Sequence, residues 1–227
     1  MNATRPLLEV CIDDPASAAV AEAGGADRIE LCHDLSVGGT SPSPESMQTA
    51  RASCALPIVA MVRPRGGPFR YDAAELGAME DAIERARDSG MAGVVLGVLD
   101  GRKCVDPSVV ERLVTRAGTL PVTFHRAFDE TPDPDRALDV LIELGVARVL
   151  TSGAAPTAVE GTSTLARLVE RAAGRIVVMP GGGVRAANAA GLCRTTGARE
   201  LHTSAGHPEP LSALAVRRIR DALANVG

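Results

Sequence analysis

The sequence predicts an α/β chain folded as a single (β/α)8 barrel of the TIM type, and three observations predict it. First, eight short strand-like runs recur, with starts 21, 30, 35, 29, 26, 27 and 25 residues apart and a helix-length segment in each gap. Alternation of that kind implies βαβ units and a parallel sheet. Second, the segments between the runs carry helix punctuation at both ends. Third, the length of 227 residues allots about 28 to each of eight units, which suits a compact closed barrel near the lower size limit. An open doubly wound sheet would need fewer strands and an exposed edge.

The strand-like runs are Leu7–Ile12, Arg28–Cys32, Ile58–Arg63, Gly93–Leu99, Val122–Phe128, Arg148–Gly153, Arg175–Gly181 and Glu200–Ala205. Asp14-Pro15, Asp106-Pro107 and Asp133-Pro134 each set a capping Asp before a Pro at the first helical position, where the missing N–H costs nothing. Asp72 and Glu75 form a capping box ahead of Leu76–Arg87. Gly24, Gly90, Gly118, Gly145, Gly174 and Gly197 stand where helices end. The amphipathic run Leu211–Leu223 is the eighth helix. No Pro/Ser-rich linker interrupts the series, so residues 1–227 read as one domain.

Composition narrows the function. Hydrophobic residues make up 45% and charged residues 23%, the balance of a folded globular chain. A net charge of -4, one Tyr, three Phe and no Trp leave a nucleic-acid binder without its basic field or stacking surfaces. No apolar run approaches the 18–20 or so residues of a membrane span, and Met1–Pro6 does not read as a secretory signal. Five scattered cysteines, odd in number and without C-x-x-C, argue against a disulfide framework and fit a reducing cytoplasm.

Barrel chemistry belongs at the C-terminal strand ends. Strands one and two both read E-x-C, in Leu8-Glu9-Val10-Cys11 and Ile29-Glu30-Leu31-Cys32. Period-two alternation puts each Glu and Cys on one face, and the apolar residues between them face the helices. Both carboxylates then point into the barrel, where charges need partners; Arg63, His125 and Arg126 are the candidates. Their use would be acid–base work by Glu9, Glu30 and His125, with Arg63 holding charge. Arg65, in the same glycine-containing loop as Arg63, offers a second fork to a carboxylate or phosphate, and Arg126 is a further anion-binding candidate. Gly181, Gly182 and Gly183 open onto a helix, and with Ser204 they occupy the loops where barrels hold phosphate. Cys11 and Cys32, on adjacent strands, could approach a soft ion such as Cu(I), with Met61, Met179 and His202 as possible further ligands. Cys54, Cys104 and Cys193 read as packing residues. The only lysine, Lys103, follows strand four, which argues against Schiff-base aldolase chemistry.

These segments, joined by Gly38-Gly39-Thr40-Ser41-Pro42-Ser43, Met61-Val62-Arg63-Pro64-Arg65-Gly66-Gly67, Thr123–Asp129, Leu150-Thr151-Ser152-Gly153 and Met179-Pro180-Gly181-Gly182-Gly183, resemble the signatures of the copper homeostasis protein CutC family over residues 7–206. The resemblance implies a TIM-type barrel, a cytoplasmic location, homo-oligomeric assembly and Cu(I) binding by two cysteines. Cys32 matches one of them, and residue chemistry adds Cys11 as the second. Many members carry a longer segment after the eighth strand, whereas here His202–Gly206 leads almost directly to Leu211. The alternative is a barrel lyase, isomerase or aldolase acting on a small anionic metabolite, phosphorylated or not.

Overall fold

The computed structural model describes residues 5–205, 210–224 and 226. The reading of Met1–Thr4 as a non-secretory start and the short link through Gly206 to residue 209 lie outside these. Eight strands, β1 (Leu7–Ile12), β2 (Arg28–Leu31), β3 (Ile58–Met61), β4 (Gly93–Leu96), β5 (Val122–Phe124), β6 (Arg148–Thr151), β7 (Val177–Pro180) and β8 (Glu200–Thr203), alternate with eight helices. The helices are α1 (Ser17–Gly24), α2 (Pro44–Ser53), α3 (Ala73–Asp88), α4 (Pro107–Ala117), α5 (Pro134–Glu143), α6 (Thr162–Ala172), α7 (Ala186–Thr196) and α8 (Ala213–Leu223). The sheet runs β7-β6-β5-β4-β3-β2-β1-β8 with every ladder parallel, and β7 lies beside β8 without a ladder among the described residues, so the ring is nearly closed. This is the (β/α)8 barrel that the spacing predicts.

Most caps behave as their chemistry demands. Asp106 and Asp133 accept from the N–H groups of Val109 and Arg136, each with Pro at the first helical position. Asp72 and Glu75 exchange both bonds of the capping box. Two expectations need correction at α1. It starts at Ser17, because the Asp14 carboxylate takes the Ala16 N–H and the Ser17 hydroxyl and so caps a turn before the helix. Its left-handed end is Gly25, not Gly24. Gly24 serves packing: a Cβ there would stand 2.5 Å from Val216 Cβ of α8.

Several strands stop earlier than the apolar runs, β3 at Met61 and β5 at Phe124. A barrel strand pairs only where its staggered neighbours overlap it, and apolarity continues past that point into the loops. Leu8, Val10, Ile29, Leu31, Leu96 and Phe124 face outward into the helix layer and form the main core. Each fully buried side chain of this size contributes about 1.5–3 kcal/mol. Inside the ring, a charged layer lies below a smaller cluster of Cys11, Cys32, Val59, Met61 and Val95.

Candidate functional site

The E-x-C alternation places Glu9, Cys11, Glu30 and Cys32 inside the barrel, all buried. Register then decides their neighbours. Glu9 stands opposite Arg28 on β2 and opposite His202 on β8, while Cys11 stands opposite Glu30. Glu9 accordingly accepts from Arg28 Nε through one oxygen and bonds His202 Nδ1 through the other at 2.8 Å. Arg28 Nη2 continues to Glu200 at 2.5 Å, and Arg148 Nε reaches the same Glu200 oxygen at 2.9 Å. Two guanidiniums thus face two carboxylates at the barrel floor, as buried charges require.

The partners proposed for Glu9 and Glu30 are therefore wrong. Arg63 turns away and spends its Nη atoms on the carbonyls of Val37, Gly39 and Gly67 at 3.0–3.1 Å. Arg126 pairs with Asp129 and Ser152. Arg28, Arg148 and Glu200 were missed, because at the start of a strand they read as exposed punctuation. Each opens an even-numbered strand, and alternate strands of a barrel contribute one interior layer; that shared position with opposed signs was the available signal.

Burial would raise the Glu9 carboxyl, but the His202 bond and the Arg28 charge outweigh it and hold the group down at about 2. Burial works against the His202 imidazolium, yet Glu30 and Glu9 raise it above its ordinary value. Glu30 is pushed up, chiefly by burial and further by Glu9, with His202 acting the other way. Its Oε2 lies 3.8 Å from His202 Nε2, and its Oε1 has no partner among the described residues.

Above this layer the sulfurs of Cys11 and Cys32 lie 3.6 Å apart, and Cys32 is also 3.6 Å from Glu30 Oε2. The ligand atoms of Cys11, Glu30 and Cys32 fall within 4.8 Å of one another, as do those of Glu9, Glu30 and His202. Both thiols are held in the protonated form. The hydrogen bond to Cys32 and then burial raise Cys11 well above its ordinary value. Cys32 gains a lowering bond from Cys11, but burial and the Glu30 charge carry it up to about 11. Gly39, at φ +85°, closes over this pair; a Cβ there would meet Cys32 Sγ at 3.0 Å. Met61 packs with the thiols, whereas Met179 does not join them, its sulfur lying 3.4 Å from Arg28 Nη2. Cys193 is buried as a packing residue, Cys54 is half-buried, and Cys104 is exposed, contrary to expectation.

A cavity of about 360 Å³ opens at the C-terminal strand ends, lined by Cys11, Glu30, Arg63, His125, Arg126, His202 and Ser204 together with Leu35, Met61, Phe69 and Leu150. His125 lies just past β5 rather than in it; its Nδ1 accepts the Ala127 N–H at 3.1 Å, which leaves the ring proton on Nε2. Its ring packs against the backbone of Gly97, where a Cβ would intrude to 2.4 Å.

Arg65 is not in the cavity, contrary to the anion-site expectation. It is tied to Glu75 and to the carbonyls of Gly66, Pro68 and Arg70. The glycine triplet is also less open than predicted. The Gly181 N–H bonds the Thr151 carbonyl, and α7 begins only at Ala186, behind Arg185, whose backbone N–H donates to Asn188 Oδ1. Ser204 does reach the cavity wall.

Burial and then the Arg63 charge push His125 down to about 3 from 6.5. A depressed histidine stabilises the fold fully above its unfolded value and loses that contribution as pH falls toward 3, at up to about 1.4 kcal/mol per unit. Urea midpoints measured from pH 6.5 to 4.5 should therefore fall less steeply in His125→Gln than in the parent. Equal slopes would show that the ring is not held neutral.

Known proteins share this arrangement at the level of sequence and fold. The profile of the CutC family matches residues 6–207. A CutC family protein of Caulobacter vibrioides is 49% identical over 92% of this chain and 85% of its own. The human copper homeostasis protein cutC homolog is 47% identical over 88% and 73%. A crystal structure of a CutC protein from Streptococcus agalactiae superposes with a TM-score of 0.84 at 34% identity, covering 88% of this chain and 98% of that one. The profile match and the relatives' identity over most of the sequence establish that this chain belongs to the CutC family.

Proposed function

We propose that this protein serves copper homeostasis by taking up Cu(I) between Cys11 and Cys32. The observation that carries the reading is the pair of buried sulfurs 3.6 Å apart, with Met61 packed against them and Cys11 open to the cavity. Soft thiolate and thioether ligands favour Cu(I) over hard cations. Both thiols must lose a proton to ligate it. Two thiolates and Cu(I) sum to one negative charge, which the His202 imidazolium beside Glu30 offsets. The human relative's name as a copper homeostasis protein supports the same assignment.

On this reading the copper ion is the partner and the cytoplasm the location, where thiols stay reduced. Among the described residues no helix is long and apolar enough to cross a membrane. Homo-oligomeric assembly and a single domain over residues 1–227 complete the proposal and rest on the family resemblance.

Competition of the reduced protein with a colorimetric Cu(I) chelator tests it. Cys11→Ser and Cys32→Ser should each weaken binding by at least about 100-fold, beyond what loss of an outer partner costs a metal site. Unchanged affinity in both variants would overturn the assignment.

A further inference from the structure

We propose that the barrel mouth also binds a small organic oxyanion, a carboxylate or phosphate ester whose body carries an oxygen acceptor, with Arg126 holding the charge and the His125 Nε2–H holding the acceptor. This site does not rest on copper. Its key residues follow β5, whereas the thiols belong to β1 and the end of β2.

Three buried polar atoms, on residues that line this cavity, lack partners among the described residues: Glu30 Oε1, Arg63 Nε and His125 Nε2. Native folds leave few such atoms, and three on residues lining one cavity point to an occupant that satisfies them. His125 is the most informative. Its Nδ1 is already committed to the Ala127 N–H, so Nε2 can only donate. Burial beside Arg63 keeps the ring neutral, which makes it a donor to oxygen without adding charge.

Arg126 supplies the charge, and it is held rather than merely present. Its Nε bonds Asp129 at 2.8 Å and its Nη2 bonds Ser152 Oγ at 2.9 Å. Asp129 in turn accepts from the Thr151 hydroxyl and from the N–H groups of Ser152 and Ala154. Those three bonds fix the loop after β6 without Arg126, so the brace positions the guanidinium. Its Nη1 has no partner among the described residues. Gly182 leaves space beside it, since a Cβ there would come to 3.4 Å from Nη1. A braced guanidinium whose Nη1 is left free can still donate charge-assisted hydrogen bonds to a planar or tetrahedral oxyanion.

The walls fit a carbon skeleton. The Phe69 ring lies 4.9 Å from His125, and Arg63 stacks on its face at 4.8 Å. A mostly apolar cavity of about 360 Å³ with a few placed polar groups is a ligand site for a small molecule.

Calorimetric titration with inorganic phosphate, glycolate and 2-phosphoglycolate, alongside NMR of the His125 ring, tests the site. We expect 2-phosphoglycolate to bind more tightly than either fragment and to shift the His125 ring resonances. Arg126→Met and His125→Gln should each weaken it by at least about tenfold, and Cys32→Ser should leave it unchanged. Arg126 is exposed, so its variant should fold, and circular dichroism verifies that. The proposal is overturned if none of the three probes binds at millimolar concentration. It is equally overturned if Arg126→Met binds like the parent, or if phosphate alone binds as tightly as 2-phosphoglycolate. Loss of copper binding with this site intact would fell only the copper reading.

Discussion

Replacing Arg28 by Met should cost about 3–5 kcal/mol of stability, the range for removing one partner of a buried ion pair. Arg28 is 5% exposed and lies between Glu9, 0% exposed, and Glu200, 9% exposed. Without it Glu200 keeps Arg148, and Glu9 keeps only His202. Met approximates the aliphatic stem of Arg, so the loss is electrostatic rather than a cavity. Two further measurements separate this from general damage.

In the parent, Glu9 is ionised down to about pH 2, so its stabilisation is present above its unfolded value near 4.5 and lost as pH falls through 2. Without Arg28 the desolvated Glu9 carboxyl should titrate higher and take up a proton in mild acid. The deficit of Arg28→Met should therefore shrink between pH 7 and pH 4.5. Adding Glu9→Gln should recover part of it, because the buried carboxylate left without its guanidinium then disappears. Urea denaturation of the single and double variants at both pH values reads all of this. A deficit below about 1 kcal/mol at pH 7 would mean that the floor charges are hydrated and the network is not what closes the barrel.

The contrast between Arg28 and Arg63 shows how far residue patterns reach. The eight strand starts and the inward face of Glu9, Cys11, Glu30 and Cys32 follow from periods along one chain, so the barrel and the sulfur pair were legible. What Arg28 touches depends on the stagger of β8 and β1 around a closed ring, which no local period encodes. Arg63 and Arg65 look interchangeable two residues apart. Yet Arg63 is 5% exposed and donates through its Nη atoms to three carbonyls, while Arg65 has a side chain 40% exposed and pairs with Glu75. Loop conformation separates them, and it is set by glycines whose neighbours are distant in sequence. His125 was found by its type and its place near a strand end. Its tautomer was not legible, because that depends on a turn beginning where the strand stops.

Gly161→Ala tests the other illegible feature, a backbone contact that braces the cavity rim. Gly161 caps the start of α6 at φ -85° and ψ 7°, a conformation any residue tolerates, so the requirement there is space alone. A Cβ would lie 1.8 Å from the Ser152 carbonyl oxygen and 3.1 Å from Gly153 Cα. Both are backbone atoms that cannot rotate away, unlike the tip of a side chain. The substitution should cost about 3 kcal/mol or more, the upper end for overpacking. Gly77 is the control: it sits within α3 with nothing inside 4 Å of a Cβ, and Gly77→Ala should stabilise by about 0.5–1 kcal/mol.

The consequence for function is selective. Ser152 bonds both Asp129 and Arg126, so forcing its carbonyl aside should loosen the Arg126 fork and weaken 2-phosphoglycolate binding. Cys11 sits on β1 and Cys32 just past β2, strands that share no ladder with β6, so Cu(I) affinity should stay within about twofold of the parent, below the 10–100-fold that loss of an outer metal partner costs. A Gly161→Ala protein that melts with the parent, or one that loses copper and anion binding together, would show that the two sites are not separately built.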